Sequence, residues 1–266
     1  MSANLDLYRH NESPRPMVRS SALTALSGRP GLFLCAHGSQ DVRAQKGLLN
    51  LTEQVQKALP TVLVGCGVLE MGPAPLEQQI GEFLSDHQLS MLTVLPLFLL
   101  SGVHAEVDIP EAMAQVGARV QQTKVLGKSP RLVEFLARTT ELQPNEGMVL
   151  FAHGSRREEA NRQIGLLAES LARLVQAPVI PAFLKEEGSL QQSLSSLHRQ
   201  GRGALVLPYF LFSGGVTDYL AEIIRGMDSD STRLGPVLSD RSGFAQLVVS
   251  HVEEVLSPTI LTRRSV

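Results

Sequence analysis

Two imidazoles and one carboxylate in this chain stand where a fold could bring them together. His37 ends the stretch Gly31–Asp41, GLFLCAHGSQD, directly after an uncharged apolar run. Glu70 follows the apolar run Val62–Leu69, and His104 follows Met91–Pro96 by way of an apolar loop, Phe98–Val103. Short apolar runs bounded by turn residues read as strands buried on both faces. Parallel strands place their carboxyl ends along one edge, where open α/β sheets bind ligands. Two imidazoles and a carboxylate at such an edge suit a divalent metal and leave a coordination position open, as chemistry at a metal requires. Imidazole, with an ordinary pKa of about 6.5, is largely neutral and able to ligate at pH 7. Taken singly, each residue has an ordinary explanation: a turn histidine, a helix-start polar residue, a solvated carboxylate. Their joint placement after three successive strands favours the metal site. Gly38 suits the tight turn after the strand, and Ser39 can cap the next helix.

The elements that must position these residues occur twice. Met148–Arg156 reads MVLFAHGSR and repeats the apolar run and Ala-His-Gly-Ser, with His153 in the place of His37. VLPLFLLSG at Val94–Gly102 returns as VLPYFLFSG at Val206–Gly214. Repeats of this kind set the architecture. In the first half the spacing predicts strands at Gly31–Ala36, Val62–Leu69, Met91–Pro96 and Gln122–Leu126. Helices are predicted at Ala44–Leu59, Pro75–Asp86, Ile109–Val116 and Arg131–Thr140. In the second half strands are predicted at Val149–Ala152, Val179–Phe183, Ala204–Pro208 and within Thr232–Leu238. The helices there are Glu159–Val175, Leu190–Arg199, Asp218–Arg225 and Phe244–Leu256. Strands alternating with helices imply parallel sheets with right-handed crossovers. The expectation is an α/β protein of two flavodoxin-like domains, 31–143 and 147–257, each a four-stranded parallel sheet flanked by helices. The two face each other across a cleft, as an intrachain pseudo-dimer in a monomer. Pro144-Asn145-Glu146-Gly147 is the natural linker. Residues 1–30 read as a flexible extension and the last ten as frayed.

Composition narrows the function. The 266 residues carry a net charge of −2, so no polybasic surface for nucleic acid or membrane is implied. The two cysteines, Cys35 and Cys66, fall in strands and form no Cys-x-x-Cys pair. They read as core residues of a cytoplasmic protein rather than as a disulfide or a metal cluster. No signal segment or membrane span is apparent. His10, His87, His198 and His251 lack the strand-end context and are expected at the surface. The apolar loop is too hydrophobic for a solvated connection. It either packs under neighbouring helices or lines a pocket for a large flat organic ligand.

Three segments carry a family resemblance: AHGSQD at Ala36–Asp41, VLEMGPAPLEQQI at Val68–Ile80 and VLPLFLLSGVHAEVDIPE at Val94–Glu111. In order and spacing they resemble the sirohydrochlorin chelatases of the CbiX/SirB family, in its longer two-half form. The resemblance implies a class II chelatase fold with a tetrapyrrole between the halves. It also implies insertion of a divalent metal into sirohydrochlorin, with Co2+ favoured and Fe2+ or Ni2+ possible, and no prosthetic group. His37 and His104 match the family's two metal-binding histidines, and Glu70 its acidic residue near the metal. Gly38, Ser39, Ser101, Gly102 and Val103 then fall beside the macrocycle. The second half departs from the pattern: the position matching Glu70 falls near Leu184 or Lys185, and no histidine matches His104.

Sirohydrochlorin is a polycarboxylate, so Arg43, Arg156, Arg157 and the backbone N–H groups after Gly38 and Gly154 are candidate anchors. They compete with an ordinary role as solvated charges. Two other functions stay open. One is a metal or tetrapyrrole carrier using the same residues. The other is a phosphate-ester enzyme using His-Gly-Ser as an anion loop; it lacks a Walker lysine and a Gly-x-Gly-x-x-Gly.

Overall fold

The computed structural model describes residues 29–227 and 231–260. Nearly all of the expected N-terminal extension, His10 included, lies outside them. The first half runs β1 (Pro30–Ala36), α1 (Val42–Ala58), β2 (Leu63–Val68), α2 (Leu76–Asp86) and β3 (Met91–Pro96). It continues with a π-helical turn (His104–Asp108), α3 (Ile109–Val116), β4 (Val120–Gln122) and α4 (Leu132–Arg138). The second half runs β5 (Glu146–Ala152), α5 (Glu158–Val175), β6 (Val179–Phe183), α6 (Ser189–Arg199) and β7 (Gly203–Pro208). It closes with α7 (Gly215–Gly226), β8 (Thr232–Leu234) and α8 (Phe244–Ile260).

Two four-stranded sheets form among the described residues, ordered β2-β1-β3-β4 and β6-β5-β7-β8, and every pairing is parallel. The α/β class and the two similar flavodoxin-like halves are thus as the sequence implied. In each sheet the first strand is central and its two neighbours are reached by connections in opposite directions. That leaves a crevice at the carboxyl ends of β1 and β3, and of β5 and β7.

Alternation along β1 explains how the halves join. Phe33 and Cys35 face a cluster with Leu76, Ile80, Leu84, Ile109 and Met113, all from the first half. Leu32, Leu34 and Ala36 face the other way, into a core that also holds Leu150, Ile164, Leu171, Val248 and Val252 of the second half. The helices between the sheets pack crosswise: α1 lies against α8, and α4 against α5. Phe135 of α4 meets Phe244 of α8 with ring centroids 5.9 Å apart. Polar contacts follow the same seam. Arg241, buried, donates to the Thr139 carbonyl at 3.0 Å and the Thr140 hydroxyl at 3.0 Å, at the carboxyl end of α4. Burial pushes its pKa down to about 10.

Several expectations need correction. The fourth strand is Val120–Gln122, not Gln122–Leu126; Leu126–Lys128 is a single 3-10 turn. Pairing of β4 with β3 ends at Gln122, opposite Val94, so the apolar Val125 and Leu126 are buried by the turn rather than by the sheet. His251 is not at the surface: it is buried, with Nε2 2.9 Å from the Lys124 carbonyl across the seam. His198 is half-buried against Thr232 Oγ1 at 3.2 Å, whereas His87 is exposed. Of the last ten residues, expected to fray, 257–260 continue α8, and 261–266 lie outside the described residues. Cys35 is a core residue whose thiol burial pushes up to about 12, and Cys66 packs against the shared core. No helix among the described residues is long and apolar enough to cross a membrane.

Candidate metal centre

The backbone places the three chemical residues before their side chains do anything. Beyond the last β1–β2 pair, Leu69 N–H donates to the Ala36 carbonyl at 2.9 Å and Glu70 N–H to the His37 carbonyl at 2.8 Å. This extension holds Glu70 beside His37. Gly38 makes it possible: its φ is +107°, and a Cβ there would lie 1.9 Å from the Glu70 carbonyl oxygen. Gly38→Ala is therefore expected to lower the melting temperature and to separate Glu70 from His37. Backbone strain alone costs about 1–3 kcal/mol. Thermal unfolding checks this, and an unchanged midpoint would remove the close-approach account.

His104 arrives by a different route. Leu97 N–H donates to the Cys35 carbonyl at 2.7 Å, which carries the chain past β3 over the end of β1. The apolar loop is pinned by the Gly127 N–H donating to the Phe98 carbonyl at 2.9 Å. The π-helical turn then starts with two N–H groups, of Ala105 and Glu106, donating to the Gly102 carbonyl. His104 is its first residue.

One ligating atom from each of His37, Glu70 and His104 lies within 4.8 Å of the others. This is the one such histidine, cysteine or carboxylate cluster among the described residues. His37 Nε2 is 3.9 Å from Glu70 Oε2, and the two imidazole rings meet edge to face with centroids 4.8 Å apart. Phe98 packs against both rings at 6.3 Å. The His37 and Glu70 side chains remain roughly half exposed, which leaves a face of the cluster open. Three oxygen and nitrogen donors that converge without filling a coordination shell suit a metal that must be taken up and released.

The cluster opens on a cavity of 570 Å³ between the halves. Leu97, Phe98, Leu99 and Leu100 form one wall, and Tyr209, Phe210, Leu211 and Phe212 of the repeat form the other. The apolar loop thus lines a pocket, and its repeat does the same from the opposite side. Of the residues expected beside the ligand, Gly38 and Ser39 line this cavity; Ser101, Gly102 and Val103 do not. Their counterparts Ser213, Gly214 and Gly215 do.

The second half keeps the backbone frame and only one of the three side chains, that of His153. Leu184 N–H donates to the Ala152 carbonyl and Lys185 N–H to the His153 carbonyl, matching Leu69 and Glu70 bond for bond. Lys185 therefore occupies the place of Glu70. Tyr209 N–H donates to the Phe151 carbonyl as Leu97 does to Cys35, which sets Val216 at the place of His104. His153 lines the cavity and belongs to no such cluster among the described residues.

None of the three candidate arginines lines the cavity. Arg43 forms a bidentate pair with Asp218 across the seam, at 2.7 and 2.6 Å, and is also bonded to Asp41 at 3.0 and 2.6 Å. It holds the carboxyls of Asp41 and Asp218 below the usual carboxylate range, and they raise its own pKa. Arg43 thus ties the start of α1 to the start of α7 at the cavity rim. Arg156 and Arg157 are exposed and lie outside the cavity wall. Asp41, not Ser39, is the N-cap of α1; the Ser39 hydroxyl instead accepts from the Asp41 N–H. Sequence reasoning also missed Asp108. It lies four residues after His104, a spacing that puts two residues on one helical face, and that signal was available in HAEVD.

Known proteins are similar to this chain in sequence and in fold. Two curated relatives are named sirohydrochlorin ferrochelatase. The one from Priestia megaterium is 25% identical over 241 residues, covering 85% of this chain and 90% of its own length. The one from Bacillus subtilis (strain 168) is 25% identical over 228 residues, covering 81% and 86%. Among solved structures, SirB from Bacillus subtilis with Fe3+ superposes with a TM-score of 0.74 at 21% identity, covering 87% of this chain and 98% of that one. The sirohydrochlorin chelatase SirB from Bacillus subtilis subspecies spizizenii, in complex with cobalt, gives 0.71 at 20% identity, covering 86% and 96%. At this level of identity the structures establish the fold. The CbiX family model matches residues 31–141 and again 147–255, each with one sheet and its flanking helices, and the chain belongs to the CbiX family.

Proposed function

We propose that this chain is a sirohydrochlorin chelatase, a lyase-class enzyme that inserts a divalent metal into a tetrapyrrole held between its halves. The observation that carries the reading is the convergence of His37, Glu70 and His104 in a CbiX-family fold, with both imidazoles on one wall of an apolar cavity. Insertion exchanges two pyrrole N–H protons for one M2+. The imidazoles of His37 and His104 hold the incoming metal on its protein side. The opposite side of the metal is presented to the macrocycle nitrogens. Glu70, within 3.9 Å of His37 and open to solvent, accepts protons released from the pyrroles and passes them to water. The two apolar walls exclude water and fix the macrocycle against the metal, which supplies the proximity the exchange needs. The substrates are sirohydrochlorin and the free metal ion, and no resident cofactor is required. The proposed setting is the cytoplasm, and the proposed working form a monomer whose two halves, 31–143 and 147–257, share the cleft.

Two nitrogen donors and one oxygen donor accept either cobalt or ferrous iron. Cobalt is the reading taken from the sequence resemblance; the names of the two curated relatives point to iron. An anaerobic metallation assay with Co2+, Fe2+ and Ni2+ decides between them. Multiple turnovers with free sirohydrochlorin are expected. Binding of metal and macrocycle without turnover would assign a carrier instead.

The second half closes the cavity and provides no second metal centre. His153→Ala is expected to keep the turnover number within roughly tenfold of the parent chain, since one hydrogen bond contributes about 1 kcal/mol. Steady-state kinetics test this. A loss as large as that of His37→Ala would make the second half part of the reacting centre.

A further inference from the structure

We infer that Asp108 is a positioning residue that fixes which nitrogen of His104 faces the metal, an inference that rests on the metal-site reading above. His104 Nδ1 lies 2.7 Å from Asp108 Oδ2. An ionised carboxylate only accepts hydrogen bonds, so the proton of the neutral imidazole must sit on Nδ1. Nε2 is then left with its lone pair free for a metal. An unrestrained neutral imidazole prefers the opposite tautomer, with the proton on Nε2. Asp108 thus selects the less populated but ligating form, and it also fixes the rotation of the ring. Metal-bound histidines are commonly oriented by carboxylates in this way.

The local fold is built to hold this pair. His104 and Asp108 are the first and last residues of the π-helical turn, which the Ile109 N–H closes by donating to the His104 carbonyl. Such widened turns recur at functional sites. The turn is braced from outside by Gln122 at the end of β4, whose amide donates to the Ala105 carbonyl at 2.8 Å. His37 shows the weaker version of the same device. Its Nδ1 lies 3.4 Å from the Gly38 carbonyl, again leaving Nε2 toward Glu70. The repeat confirms that the pairing belongs to the first half alone, because Val216 stands in the place of His104.

The test uses the full chain, Co2+ alone as probe, and the Asp108→Ala and Asp108→Asn variants beside His104→Ala. The visible absorption of bound Co2+ reports affinity, and long-range 1H–15N correlation spectra of the metal-free chain report the His104 tautomer. Asp108→Ala is expected to move His104 toward the Nε2–H form and to weaken Co2+ binding roughly 10–100-fold. Its metallation rate should fall through the KM for metal, with the KM for sirohydrochlorin unchanged. Asp108→Asn, whose amide can donate as well as accept, should fall between Ala and the parent chain. An unchanged His104 tautomer in Asp108→Ala would overturn the inference whatever the metal does. Failure of the metal-site reading looks different: the parent chain would bind Co2+ no better than His104→Ala, and the role assigned to Asp108 would fall with it.

Discussion

Replacing His37 with Ala is expected to reduce metallation of sirohydrochlorin at least about hundredfold while leaving the fold in place. The size follows from what the substitution removes. Losing only an outer partner of a ligating imidazole already costs roughly 10–100-fold in metal affinity or activity. Losing the imidazole itself takes one of three donors from a centre that has no spare ones among the described residues. His104→Ala should behave in the same way, because its ring lies 4.8 Å from that of His37 and no other histidine joins the pair's cluster among the described residues. The fold should tolerate both changes. The His37 and His104 side chains are each more than 40% exposed and belong to no core cluster. The measurement is initial rate against metal concentration, with thermal unfolding as the control. A variant that retains near-parental rates would remove the metal-site reading, and a variant that unfolds would show a lowered melting temperature rather than a raised KM for metal.

The repeat in the sequence made the fold legible. Two apolar runs ending in Ala-His-Gly-Ser, each followed by the same order of runs and helices, leave little freedom in the topology once parallel pairing and right-handed crossovers are required. The placement of His37, Glu70 and His104 at one edge followed from the same logic, since each lies just past a strand of one parallel sheet. What the sequence did not disclose depends on contacts between distant segments. Val125 and Leu126 look like strand residues, yet both are buried at a 3-10 turn, Leu126 in the shared core. His251 was assigned to the surface because its partner, the Lys124 carbonyl, lies in the other half. Arg43 was read as a candidate for substrate because nothing local shows Asp218 reaching it across the seam. Asp108 is different: its spacing of four from His104 is legible in HAEVD, and only the π-helical turn that holds the pair is announced by no apolar period.

The first half expressed alone, Gly31–Thr140, is expected not to fold as a monomer. The apolar face of α1 carries Leu48, Leu51 and Val55, and in the intact chain it lies against α8 of the other half. Leu132, Phe135 and Leu136 of α4 likewise pack toward α5 and toward Phe244. Each such side chain contributes about 1.5–3 kcal/mol when buried. Uncovering half a dozen of them therefore costs on the order of 10 kcal/mol, which is as much as a whole domain usually has in hand. The repeat offers one escape. Because α4 of the first half corresponds to α8 of the second, two copies of the fragment can cover each other, with α1 of each against α4 of its partner. Folding would then depend on concentration, as it does for any protein whose stable form is a dimer. Circular dichroism and sedimentation over a dilution series should show structure appearing together with dimer. A fragment that unfolds cooperatively as a monomer, at a midpoint independent of concentration, would show that the shared core is dispensable and that the halves are separate domains. If the dimer does form, its cavity has two equivalent walls and each wall carries His37, Glu70 and His104. Such a dimer should bind two metal ions, against one expected for the intact chain, because Lys185 and Val216 of the intact chain stand where Glu70 and His104 stand in the first half.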